Sequence, residues 1–272
     1  MYVLEFLKKQ DIEKFFDKES LIVIEYLLRK VLYSQPEMLP SQKESYIQIT
    51  KEFLEQWIAQ GLGWKVIGAG NYPIDVYSEK KKIGADVKFM SAKMNKDGSF
   101  SRSQSGETSL GQKFIESGNE LDQDFASKSY DKILNGWKFI LENKLKAPVH
   151  DYSIKYIYYF IFIRGGDSIN LSIAKVNSSA IEKISVKNTT SASVFVEGFV
   201  NPKYGNVKIY KAKKRMELRC LPDNMNKDNL FIQWDFSKLV RKKGIDLRLE
   251  VKDYNNFKKY IKKDIDSFLN SL

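Results

Sequence analysis

Tyr72-Pro73-Ile74-Asp75-Val76-Tyr77-Ser78 and, beyond Glu79-Lys80-Lys81-Lys82, Ile83-Gly84-Ala85-Asp86-Val87-Lys88-Phe89-Met90 decide how this chain is read. Both apolar runs are short and rich in Val, Ile, Tyr and Phe, as strands are, and the charged stretch between them suits a hairpin turn. Side chains alternate along a strand, so Asp86 and Lys88 share one face. If Asp75 begins the antiparallel neighbour, its carboxylate sits opposite that pair.

Working outward, residues 93–109 are rich in Ser, Asn, Gly and Lys and read as a loop, and residues 110–143 read as helical. Two strongly apolar strands follow, 154–163 and 169–176, joined by Arg164-Gly165-Gly166-Asp167. A run such as Tyr156-Ile157-Tyr158-Tyr159-Phe160-Ile161 suits a central strand covered on both faces. Toward the N-terminus the first sixty residues read as helical: Ile12, Phe15, Phe16, Leu21, Ile24, Leu27, Leu28 and Val31 recur at spacings of mostly three and four. Pro36 and Pro40 interrupt them, and Ser41 with Glu44 has the pattern of a capping box opening a second helix. That helix carries Tyr46, Ile49, Phe53 and Trp57 on one face and ends near Gly61-Leu62-Gly63. Trp64 to Ile67 forms a short strand, and strand-like runs recur at 193–200, 207–212 and 230–235 before a closing helix at 254–269. The fold class expected is α/β, a mixed central sheet flanked by helices. A helical segment (1–40), a core (41–180) and a β-rich and helical extension (181–272) would pack together as one domain.

Composition narrows the chemistry. The chain has 272 residues, and 45 Lys plus Arg against 34 Asp plus Glu give a formal charge of +11, which favours a polyanionic partner. One cysteine (Cys220) and one histidine (His150) exclude a disulfide framework within the chain and any thiolate or imidazole zinc cluster. They also argue against Ser-His-Asp or Cys-His catalysis, and read as a small buried thiol and a strand-edge histidine. Carboxylates and lysines are then the tools available. No signal peptide or span of about 20 apolar residues is present, so a soluble, cytoplasmic protein with no membrane partner is expected. Gly61/Gly63 and Gly68/Gly70 lack the context of a phosphate-binding loop and read as turn glycines.

Asp75 followed by Asp86-Val87-Lys88 resembles the active-site signature of the PD-(D/E)XK nuclease superfamily, an acid on one strand and Asp/Glu-X-Lys on the next. Pro73 departs from the pattern in being separated from Asp75 by Ile74. The resemblance spans residues 41–176 and implies a restriction-endonuclease-like core. It also implies Mg²⁺ held by Asp75, Asp86 and the main-chain carbonyl of Val87, with Lys88 orienting the attacking water. Family members often add an acid from the preceding helix, for which Glu52 is the candidate ahead of Glu55, and a polar helper from the following helix, here Gln112 or Lys113.

The activity this implies is that of a type II restriction endonuclease: Mg²⁺-dependent hydrolysis of double-stranded DNA at a short specific sequence, leaving 5′-phosphate ends. Cutting a palindrome implies a homodimer, with residues 11–34 as an interface candidate. Candidate DNA contacts are Lys93, Lys96, Arg102 and Gln104 after the active-site strand, and Lys208, Lys211, Lys213, Lys214 and Arg215 on a basic hairpin that also carries Lys203 and Arg219. The alternatives are a structure-directed repair or recombination nuclease of the same superfamily, and a non-catalytic basic nucleic-acid-binding protein.

Overall fold

The computed structural model describes residues 1–32, 48–67, 72–111, 114–236, 262, 263, 265–268 and 270, with only the backbone for 32 and 102–105. Several expectations fall outside these residues: Pro36 and Pro40, the Ser41/Glu44 cap, Tyr46, Gly68 and Gly70, Gln112 and Lys113, the side chains of Arg102 and Gln104, and most of the closing helix.

The architecture is a mixed α/β one, built on a central sheet with parallel and antiparallel pairs and helices on its faces. Its strands are β1 (Leu4–Phe6), β2 (Lys65–Val66), β3 (Val76–Ser78), β4 (Ile83–Met94), β5 (Phe100–Ser105), β7 (Tyr156–Gly165), β8 (Ser168–Val176) and β13 (Ile232–Asp235). The order is β1-β8-β7-β4-β3-β2, with β13 also on β8 and β5 also on β4. Among the described residues only β4 and β7 run parallel as paired strands of this sheet, from Ile83↔Tyr156 to Ala92↔Gly165. The crossover between them carries α5 (Tyr130–Tyr152), as parallel neighbours require.

A second, antiparallel sheet, β6-β12-β11-β10-β9, comprises β6 (Glu107–Gly111), β9 (Ser185–Thr189), β10 (Ser193–Glu197), β11 (Gly205–Tyr210) and β12 (Arg215–Cys220). β6 ties it to the middle of the chain, and one apolar core joins this sheet, α5 and the near face of the central sheet. On the far face, α1 (Lys9–Phe15), α2 (Lys18–Leu32) and α3 (Lys51–Leu62) bury Ile12, Phe16, Ile24, Leu28, Leu54 and Ile58 against Val87, Phe160 and Phe162. β7 therefore feeds both cores, Ile161 and Ile163 on one side and Phe160 and Phe162 on the other, and its unbroken apolar run follows from that.

Several local expectations are corrected. Residues 4–6 form an edge strand on β8 rather than part of a helical start, because Leu4 is buried against the core. The 93–109 stretch is largely strand: β5 and β6 bury Phe100, Ser101 and Thr108, and tertiary pairing overrides the turn-like composition. The helical segment of 110–143 is instead the end of β6, a 3₁₀ turn at Phe114–Ser117, α4 (Leu121–Ala126) and α5, which runs on to Tyr152. His150 consequently lies in the last turn of α5, exposed beside Asp151, not on a strand edge. Helix α3 buries Leu54, Ile58 and Ala59, while Phe53 is 48% exposed, so the buried face is rotated from the one carrying Phe53 and Trp57. It stops where Gly63 adopts φ +63° and its N–H returns to the Ala59 and Gln60 carbonyls.

Candidate active site

β4 is paired with β3 only over Ile83–Ala85 and with β5 only at Ala92 and Met94. Among the described residues no strand pairs with that edge from Asp86 to Met90, although β7 covers the opposite edge throughout. Asp75 stands at this gap. Its N–H donates to the Ala85 carbonyl at 2.9 Å, and the Val87 N–H donates to its Oδ2 at 2.7 Å. The N–H and C=O of one strand residue point to the same edge, so the Val87 carbonyl is directed into the gap as well.

Asp86 and Lys88 share the β4 face turned toward α5. The Lys88 ammonium lies 2.6 Å from Asp86 Oδ1, and Lys144 of α5 reaches Asp86 Oδ2 at 3.5 Å and donates to the Leu110 carbonyl at 3.3 Å. From α3, Lys51 approaches Asp75 Oδ1 at 3.5 Å and pairs with Glu55 at 2.7 Å. Lys51, Asp75, Asp86, Lys88 and Lys144 line one cavity of about 540 Å³ together with Tyr72, Ser109, Glu116, Phe139 and Asn143. Three lysines thus surround one buried carboxyl group, Asp86, and one half-buried, Asp75.

The electrostatics separate those carboxyls. Burial and then the charge of Asp86 push Asp75 up to about 7, against the pull of Lys51 and the Val87 N–H. Burial works on Asp86 in the same direction, but the charges of Lys88 and Lys144 hold it below the usual carboxylate range. The two neighbours are thus shifted in opposite directions, Asp75 up and Asp86 down. The charge of Asp86 raising Asp75 is a repulsion that a hard dication between two carboxylates relieves. Asp75, Asp86 and the Val87 carbonyl are suitable oxygens for one. Among the described residues no cluster of three or more His, Cys, Asp or Glu side chains gathers, so the remaining ligands would be water and substrate oxygens, as Mg²⁺ prefers.

The structure thus brings Asp75, Asp86, Val87 and Lys88 together and leaves Glu52 out. Glu52 is exposed on α3, whereas Glu55, one turn nearer the sheet, has a side chain only 17% exposed. The rotated face of α3 explains the exchange. Lys51 and Lys144 were missed by sequence reasoning; no motif marks them, and only the packing of α3 and α5 on β4 reveals them.

The other basic candidates lie apart from this cleft. Lys93 and Lys96 are exposed at the end of β4 and in the turn after it. On the β11–β12 hairpin, Lys213 pairs with Glu107 and Glu217 at 3.2 and 2.8 Å, Lys214 with Asp122 at 3.1 Å, Arg219 with Glu107 at 2.8 Å and Lys203 with Asp228 at 2.6 Å. Lys208 sits 4.5 Å from the centre of the Phe195 ring, while Lys211 and Arg215 have no acidic partner among the described residues. Much of the hairpin's positive charge is therefore compensated within the chain. Cys220 is fully buried, which pushes its thiol up to about 12 and leaves it unreactive.

No protein-family model matches the chain, and neither curated proteins nor solved structures yield a match.

Proposed function

We propose that the chain is a Mg²⁺-dependent endonuclease acting on double-stranded DNA, of the type II restriction kind. The observation that carries this reading is the placement of Asp75, Asp86 and Lys88 at the unpaired edge of β4, inside a lysine-rimmed cleft. Mg²⁺, when bound, would polarise the scissile phosphate and favour attack by water. Asp75 and Asp86 would hold the ion, and the Val87 N–H keeps Asp75 turned toward it. Lys88 has three N–H donors; one engages Asp86, and the others are available to orient the attacking water and offset charge on the phosphate. Lys51 and Lys144 stand where they can neutralise the non-bridging oxygens.

No helix among the described residues is long and apolar enough to cross a membrane. A homodimer would let two such sites cut both strands of a palindrome. Ile12, Ile24 and Leu28 of α1 and α2 are spent on the chain's own core, while Val23 of α2 stays exposed.

One observation favours a non-catalytic nucleic-acid-binding protein instead: two lysines already compensate Asp86 without any cation. Incubation of the purified protein with phage-length DNA separates the readings. Discrete fragments that require Mg²⁺ and vanish with EDTA or in Asp86→Ala support the site-specific nuclease. A smear supports a structure-directed or nonspecific nuclease. Intact DNA with salt-sensitive retardation supports the binding protein and overturns our reading.

A further inference from the structure

A phosphate alone would fill only a small part of this cavity, whose volume of about 540 Å³ is in the range that accommodates a nucleotide-sized ligand. Its lining is also not purely ionic, since Tyr72, Phe89 and Phe139 contribute aromatic surface. Two of these rings are already engaged. Tyr72 donates to Asp151 at 2.8 Å and packs edge-on against Tyr152, and Phe89 lies under the Arg164 guanidinium at 5.9 Å. Phe139 differs: it is 52% exposed and has no ring or cation partner among the described residues. It projects from α5 one turn before Asn143 and five residues before Lys144, and all three line the cavity. Exposing a large aromatic at the mouth of a charged cleft forfeits burial that the neighbouring Ile140 and Leu141 obtain, and it offers a flat face to whatever enters.

We propose that this cleft takes one unstacked nucleotide next to the scissile phosphate, its base lying on Phe139, its edge within reach of the Asn143 amide and its phosphate beside Lys144. The substrate is then DNA in which a base at the cut is extruded or unpaired, not a duplex stacked throughout. Three features agree with this occupant: lysines match a phosphate, a ring face matches a base of any identity, and an amide both donates and accepts at a base edge. A continuous duplex would bring only its backbone to the mouth and leave Phe139 without a partner. The inference rests on the nucleic-acid reading of the site, but not on cleavage.

Binding is measured by fluorescence anisotropy in EDTA, so that no cleavage occurs. The ligands are one labelled oligonucleotide as perfect duplex, as duplex with a three-nucleotide unpaired bubble, and as single strand. The wild-type chain is expected to hold the bubble about tenfold more tightly than the perfect duplex, because an unpaired base reaches Phe139 whereas the stacked duplex meets the cleft with its backbone alone. Phe139→Ala should erase that preference by weakening bubble binding about tenfold relative to perfect duplex, and Phe139→Trp should restore it. Equal affinity for bubble and duplex, no effect of Phe139→Ala, or no measurable binding of the bubble would each overturn the proposal. Cleavage of perfect duplex in Mg²⁺ without bubble preference would overturn it while leaving the nuclease reading intact. Bubble preference without cleavage under any condition would do the reverse.

Discussion

Asp86 and Lys88 carry the sharpest expectations at the residue scale. In the proposed reaction Asp86→Ala should abolish Mg²⁺-dependent cleavage, and Lys88→Ala should slow it by about 10²- to 10⁴-fold, the range for a positioned proton-handling group, with DNA retention in EDTA largely kept. Single-turnover rates on a fixed substrate measure both. Asp75 makes a different prediction. Its carboxyl is raised to about 7, so folding without a cation is favoured when it is protonated and disfavoured as pH rises from 3.8 through 7. Asp75→Asn removes the cost of charging a buried group and can keep the Val87 N–H bond. It should melt a few degrees above wild type at pH 8 in EDTA while losing cleavage, as a site that holds functional strain would. An unchanged or lower melting temperature would contradict this electrostatic picture.

At the scale of elements, the cleft wall depends on how β6 meets α5. A Cβ at Gly111 would lie 2.5 Å from the Trp137 ring, and Trp137 is fully buried in the core beneath. Gly111→Ala must therefore push β6 or Trp137 aside. We expect a loss of about 1–3 kcal/mol in a urea titration, the usual range for overpacking, together with weaker DNA binding, because Ser109 and Leu110 line the same cavity. Far from the cleft, truncating a core residue of the outer helices should cost stability alone. Leu54→Ala in α3 should lose about 2–5 kcal/mol. The contrast separates a shift of the cleft wall from general loosening.

Across the whole molecule, charge organises two further expectations. Glu107 anchors the second sheet: burial would raise its carboxyl, but hydrogen bonds from Tyr210 and Lys213 and the charge of Arg219 hold it down to about 2. A depressed folded value means that this stabilisation is complete above 4.5, the ordinary value, and is lost as pH falls from there toward 2. Glu107→Gln should accordingly be less stable than wild type at pH 7, with the difference narrowing through the acid limb in a denaturant series. The second expectation concerns salt. Lys144→Ala should lower the slope of log affinity against log salt concentration by about one, as loss of a phosphate contact does. Lys213→Ala should change it less, since Lys213 is held by Glu107 and Glu217.

Local pattern alone determined the alternation that sets Asp86 and Lys88 on one face, the doubly buried run of β7, and the impossibility of a disulfide framework or a Cys/His zinc cluster within one chain that has a single cysteine and a single histidine. Each follows from strand period or residue count, which no packing changes. The turn-like 93–109 stretch became strands, and Glu55 displaced Glu52 beside the carboxyls, for the opposite reason. Polar residues accept strand geometry when a neighbouring edge needs partners, and the buried face of α3 depends on what it packs against. Lys51, Lys144 and Phe139 come from helices far apart in sequence, and nothing in their neighbours distinguishes them from ordinary surface residues. Only the docking of α3 and α5 on β4 brings them to one cleft, because convergence across long separations is a property of packing and not of spacing.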